Sequence, residues 1–142
     1  MRRLFVDSHV PIYAVGGPCP QKDACLEILA AAARGEVELH ASVEMVQEFL
    51  FHRMRRAGRE NAVEQARLIA AAVVLHDFDG DVLSEALALV ERHGMRGRDA
   101  VHAATALQSG VVDIVTSDSD FDACPGLRRI EPGDLAGHIP TT

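Results

Sequence analysis

The sequence predicts an α/β domain in which a parallel sheet is covered by helices. Three observations carry that expectation. Short β-rich runs alternate with longer helical stretches along the chain. Glycines and capping residues mark the ends of several of these stretches. Acidic residues recur just after the strand runs, where open α/β sheets bind ligands outside the carboxyl ends of their strands.

The elements follow in order. Arg3–Val6 reads as a buried strand, and Gln21–Arg34 as a helix closed by Gly35. Glu36–His40 alternates like a strand. Ser42 can N-cap a helix running to about Ala57, with Gly58 after it. Glu60–Leu75 reads as another helix, ending in the apolar stretch IAAAVVL. Asp81–Arg92 and Arg98–Ser109 read as two more. Val111–Thr116 is apolar and β-branched, and Leu127–Ile130 is a plausible last strand.

Length and composition narrow the function classes. A chain of 142 residues suggests one domain spanning 1–142. About 68–70% of its unfolded surface can be buried at that size. With 48% hydrophobic and 25% charged residues, disorder over most of the chain is excluded. No stretch approaches the ~20 apolar residues of a membrane span. Asp7 interrupts the first apolar run, so neither a secretion signal nor membrane attachment is expected. Cys19, Cys25 and Cys124 are odd in number and form no CxxC pair. They are expected to be reduced thiols in a cytoplasmic protein.

The charge balance is −7, and 13 of the 14 basic residues are Arg, with Lys22 the exception. Such a field does not attract nucleic acid. Chemistry on a polyanion would need local Arg patches and a means of neutralising the acids.

The acids are placed suggestively. Asp7 follows the first strand in LFVDS. Asp118 follows the third in IVTSDSDFD, with Asp120 and Asp122 behind it. Asp99 opens a helix in MRGRDAVHAATAL, and Glu48 lies within ASVEMVQEFL. Singly, each Asp has an ordinary reading as a cap, turn former or first-turn acid. Glu48 is odder, because Val46, Phe49 and Leu50 suggest a buried stretch where an unpaired carboxylate is costly. Two carboxylates 4 Å apart repel by about 4 kcal/mol at an effective dielectric near 20. A hard divalent cation with oxygen ligands is the simplest compensation. Such a site suits water activation and in-line phosphoryl displacement. The pattern therefore points to metal-dependent phosphodiester or phosphate chemistry.

Other motifs fail. Asp118, Asp120 and Asp122 match the first ligands of a calcium loop, but Ala123 stands where it needs Gly and Arg129 where it needs Glu. There is neither a GxxxxGK[ST] loop nor an HExxH pair. A haloacid-dehalogenase phosphatase would carry Asp where His9 stands.

LFVDS, VQEF, RDAVHAATAL and VTSDSDF, in that order, resemble PIN-domain ribonucleases, most closely the VapC-type toxins of toxin–antitoxin pairs. The resemblance runs from Leu4 to about Pro132. It implies a three-layer α/β/α fold with a short, mainly parallel sheet, and an endoribonuclease using Mg²⁺ or Mn²⁺. It maps the family's acids onto Asp7, Glu48, Asp99 and Asp118, with Asp120 as an accessory acid and Thr116 in the TxD segment. Glu44, one turn before Glu48, is the alternative helix acid. Asp7, Asp99, Asp118 and Asp120 would hold the cation, and Glu48 would hold the attacking water or a second cation. A homodimer and a small protein antitoxin are implied as partners, beside the RNA substrate.

Further candidates surround that set. Ser8 and Thr116 can hydrogen-bond the acids or cap turns. His102 can orient an acid or pack as a core histidine. Arg53, Arg55, Arg56 and Arg59 form a run suited to RNA or to an acidic antitoxin segment, and Arg96 and Arg98 could extend it. Ala62–Leu75 is expected in the core, or else at an interface. With one Tyr, five Phe and no Trp, stacking of bases on aromatic rings is expected to be limited. Three other functions remain open at this level: a housekeeping RNA-processing nuclease of the same fold, a metal-dependent phosphatase, and a non-catalytic binding module with an acidic pocket.

Overall fold

The computed structural model describes residues 1–137. The strands are β1 (Arg2–Val6), β2 (Val37–Ser42), β3 (Val74–His76), β4 (Asp113–Val115) and β5 (Arg128–Ile130). Among the described residues they form a single sheet of order β3-β2-β1-β4-β5, with every pairing parallel. β1 is central, and its Leu4, Phe5 and Val6 are at most 1% exposed. A strand covered on both faces is apolar at consecutive positions, as this one is.

The helices are α1 (His9–Val15), α2 (Lys22–Ala33), α3 (Val43–Ala57), α4 (Arg59–Ala72), α5 (Gly80–His93), α6 (Gly97–Ser109) and α7 (Pro132–Ala136). The pleat of β1 sorts them into two layers. Leu4 and Val6 face a core built with Val10, Ile28, Met45, Phe49, Ile69 and Leu135, from α1, α2, α3, α4 and α7. Phe5 faces the opposite core, with Val82, Leu89, Ala100, Ala103 and Phe121, from α5, α6 and a 3-10 turn at Ser119–Ala123. The expected three-layer arrangement with a short parallel sheet is present. No helix among the described residues is long and apolar enough to cross a membrane.

The expected Ser42 cap is present, and Asp79 supplies one the sequence reading did not name. The Ser42 hydroxyl accepts from the Glu44 N–H at the start of α3, and Asp79 accepts from Val82 at the start of α5. Gly58 turns α3 into α4 at φ +82°, a conformation that a side chain would strain.

The structure departs from the sequence expectation in three elements. The helix read through Leu75 stops at Ala72, and Val74–His76 becomes edge strand β3, paired with His40–Ser42. Two adjacent β-branched residues, Val73 and Val74, favour this once β2 offers an open edge. His40 Nδ1 also lies 2.8 Å from His76 Nε2 across that pair. Asp118 consequently follows the fourth strand rather than the third. Neither α1 nor α7 was expected; each is short, and each contributes residues to the α2-side core.

The stretch expected in the core is only half there. Ala62, Ala66 and Ile69 are buried, whereas Leu68 is 65% exposed and Val74 and Leu75 about 40%.

Candidate active site

The strand order reverses at β1, with β2 and β3 on one side and β4 and β5 on the other. Parallel α/β sheets open a crevice at that switch, outside the carboxyl ends of the strands. Asp7 follows β1 there and Asp118 follows β4. The same cleft, with a volume of about 1080 Å³, is lined by Glu44 and Glu48 of α3 and by Asp99 of α6. The four acids singled out in the sequence thus line one cavity.

Two of them are held by side-chain donors from other segments. Asp7 is 4% exposed. Its Oδ2 accepts from the Thr116 hydroxyl at 2.7 Å, and its Oδ1 accepts from the His9 N–H at 3.2 Å. Thr116 also accepts from the Asp118 N–H at 3.0 Å, so one buried hydroxyl ties the β1 and β4 acids together. The Asp7 carboxylate holds the His9 imidazole above its usual pKa. Glu48 bridges layers: its Oε2 accepts from the Ser8 hydroxyl at 3.0 Å, and its Oε1 lies 2.9 Å from His102 Nε2. Burial pushes the Glu48 carboxyl up, but the hydrogen bonds from His102 and Ser8 outweigh it, and the net shift is downward. Glu48 is therefore ionised, and His102 Nε2 is the donor. His102 is both of the things its sequence allowed, a residue 2% exposed and an orienter of an acid. Glu44, on the same helix face, lines the cleft, with its N–H engaged at the Ser42 cap. Of the two, Glu48 is the one held by side chains from other helices or loops.

The remaining acids face each other. Asp99, Asp118 and Asp120 each present an oxygen, and these lie within 4.8 Å of one another. The 3-10 turn sets part of this geometry, because Asp118 Oδ1 accepts from the Asp120 N–H at 2.9 Å. Asp99 has no hydrogen-bond donor among the described residues. Burial and then the Asp118 charge, with Asp120 and Asp7 behind, push its carboxyl up to about 6. This cluster of hard oxygen donors, whose ion pair among the described residues is Arg96 to Asp120 at 3.9 Å, could hold a divalent metal ion. Asp122 turns away from it and pairs with Arg129 at 2.8 Å.

Arginines share the cleft with the acids, and Arg96 Nε lies 3.9 Å from Asp120 Oδ2. Arg55, Arg56, Arg96 and Arg98 line the cleft. The Arg53–Arg59 run does not act as one patch. Arg53 is 9% exposed, and its Nε donates to Gln65 on α4 at 2.9 Å. Arg59 lines a separate shallow groove on α4 with Glu60, Glu64 and Arg67. Two causes divide the run: Arg53 and Arg55, two residues apart on α3, point to nearly opposite sides of the helix, and Gly58 ends α3 so that Arg59 belongs to α4. Phe51 also lines the cleft; it had no role in the sequence reading. The spacing i, i+3, i+4, i+7 from Glu48 picks out Phe51, His52 and Arg55, and would have found it.

The chain matches the family model described as PIN domain over residues 4–127. It is 30% identical over 130 residues to "Ribonuclease VapC13" of Mycobacterium tuberculosis, covering 89% of this chain and 98% of that protein. Among solved structures, its fold is similar to VapBC2 from Rickettsia felis, a complex bound to a DNA fragment from its promoter. That match has a TM-score of 0.72 and 16% identity, and covers 91% of this chain and 98% of that one. It is also similar to VapC20 of Mycobacterium tuberculosis, described as a toxin cleaving the sarcin–ricin loop. There the TM-score is 0.71 at 19% identity, covering 84% of this chain and 93% of that one.

Proposed function

This chain belongs to the PIN-domain family, and from that premise we propose that it is a metal-dependent endoribonuclease acting as the toxin of a toxin–antitoxin pair. The observation that carries the reading is the convergence of Asp99, Asp118 and Asp120 at a cleft that Arg55, Arg56, Arg96 and Arg98 also line. The ribonuclease names of relatives that align along nearly their whole length support the choice of RNA.

Asp99, Asp118 and Asp120 would hold Mg²⁺ or Mn²⁺, with Asp7 beside them. A bound ion of this kind supplies Lewis-acid stabilisation of a phosphoryl oxygen. The protein's own groups do the rest. Glu48, kept ionised by His102 and Ser8, accepts a hydrogen bond from the attacking water and aligns it with phosphorus. Thr116 fixes the Asp7 carboxylate so that it cannot rotate out of the cleft. Arg55, Arg56, Arg96 and Arg98 offset backbone charge that would otherwise be repelled by an acidic chain. Attack in line leaves a 5′-phosphate and a 3′-hydroxyl.

A small antitoxin would silence the enzyme by covering this cleft. A homodimer has support in α5, where Leu83, Leu87 and Val90 form an exposed stripe at i, i+4 and i+7.

The test is incubation of the purified chain, free of antitoxin, with total bacterial RNA under Mg²⁺, Mn²⁺ or chelator. Discrete products that require metal support the reading. Intact RNA, together with no metal-dependent rise in Tm, overturns it.

A further inference from the structure

One face of α3 changes chemistry along its length. Glu44 and Glu48 come first, Phe51 and His52 next, and Arg55 and Arg56 last, all lining the same cleft. Acid toward the N-terminus and base toward the C-terminus also suits the helix dipole. At 1.5 Å per residue, Phe51 stands about 4.5 Å along the axis from Glu48, and Arg55 about 10 Å.

Phe51 does not behave as a core residue. It is 62% exposed, while its neighbour Phe49 is fully buried. The Arg55 guanidinium carbon sits 5.7 Å from its ring centroid, a cation–π distance. The surroundings are electropositive. Burial, then Arg56, Arg53 and Arg55, hold the next residue, His52, below its usual pKa. Tyr13, the other phenyl-bearing side chain lining the cleft, has its ring stacked on His9 at 5.5 Å. Phe51 therefore offers an open aromatic surface between the acids and the arginine end.

We propose that Phe51 is a specificity-determining residue that stacks an unpaired nucleobase next to the scissile phosphate, with Arg55 and Arg56 holding the adjacent backbone. The inference rests on the nuclease reading above and adds which RNA is taken. An exposed aromatic beside guanidinium groups fits a base with its phosphate better than an apolar peptide, which gains nothing from the cations. Every base has a π-face, so selection is for single-stranded or looped RNA rather than for a base identity. One well-placed ring suffices, so the low aromatic content does not preclude stacking.

The experiment compares the parent with Phe51→Ala, Phe51→Leu and Phe51→Trp on a random-sequence single-stranded RNA pool under Mn²⁺. The exposure of Phe51 makes all three compatible with folding. Leu keeps apolar area without a π-face, and Trp keeps the π-face. Ala and Leu should raise the apparent KM by about 5- to 150-fold, with kcat less affected, and Trp should restore the parental value. Excess duplex RNA should compete poorly against the parent. Parental KM in Ala and Leu overturns the inference while leaving the nuclease intact, and assigns Phe51 to a protein-binding surface. A Leu variant that works as well as Trp also overturns it, since apolar contact would then be enough. A parent that cuts no RNA removes the nuclease reading, and this inference with it.

Discussion

Two groups of carboxylates share one cleft, and the fold treats them in opposite ways. Asp7 and Glu48 are anchored by donors from distant segments: Thr116 to Asp7, Ser8 and His102 to Glu48. Asp99, Asp118 and Asp120 are pressed together without comparable donors. Their pKa values diverge accordingly, Glu48 downward and Asp99 up to about 6. A fold that ties two acids to distant side chains leaves Asp118 with one backbone N–H, Asp120 with Arg96 at 3.9 Å, and Asp99 with no hydrogen-bond donor among the described residues. The anchored pair fixes geometry, and the trio, with three carboxylates to one ion-paired guanidinium among the described residues, leaves a place for a cation. Sites of this kind cost stability in the absence of their ligand.

The comparison breaks most sharply at Asp99. Asp99→Asn should keep the fold and reduce metal-dependent RNA cleavage by at least about 100-fold, measured as initial rate on total RNA. Parental cleavage by that variant would remove the trio from the chemistry.

The anchored pair is probed next. His102→Leu leaves Ser8 as the one side-chain hydrogen-bond donor to Glu48 among the described residues, so cleavage should fall about 10- to 100-fold. The loss of the His102 hydrogen bond lets the Glu48 pKa rise, and the acid limb of the pH–rate profile should move to higher pH. An unmoved limb would mean that Glu48 does not act in the ionised form.

Stability against pH sharpens the contrast without any RNA. The folded value of Asp99, about 6, lies above its ordinary value of 3.8, so the folded chain binds that proton more tightly. The resulting stabilisation is complete below about 3.8 and is lost as pH rises through about 6. The Asp99 contribution should therefore lower the Tm of the metal-free chain at pH 7.5 relative to pH 4.5. It is read as the difference between the parent and Asp99→Asn, because the lowered His52, His76 and Glu48 act in the opposite direction in both. The Asp99 share is on the order of 1 kcal/mol once solvent screening of this half-buried group is allowed for. Asp99→Asn should remove this contribution, and Mn²⁺ should raise Tm chiefly at the higher pH. His9, also raised, contributes in the same direction.

The smallest effect separates the arginines. Arg56→Ala should reduce the salt slope of RNA binding by about 0.7 to 0.9 and leave Tm nearly unchanged. Arg53→Ala should do the reverse, lowering stability by about 1 kcal/mol through the lost Gln65 bond and leaving the slope alone. Equal slopes in the two variants would return Arg53 to the RNA-facing set.

Much of this molecule follows from the sequence by itself. The parallel α/β class, the central apolar strand and most helices rest on local periodicity and caps, which nearest neighbours in the chain decide. Three of the four acids were legible for the same reason: strand and helix ends place Asp7, Asp99 and Asp118 without reference to the rest of the fold, whereas Glu48 stood out by its apolar neighbours Val46, Phe49 and Leu50. What tertiary structure alone decided involves partners far apart in the chain. β3 exists because β2 offers an edge, overriding a helical pattern. Glu48 is held by Ser8, 40 residues away, and by His102, 54 residues away. Arg53 is removed from its own basic run by packing against Gln65, and Phe51 is left on the cleft while Phe49 is taken into the core. Local patterns set which elements form. Which side chains meet is set by the crossing of layers, where burial and hydrogen-bond satisfaction are shared between segments that sequence spacing does not relate.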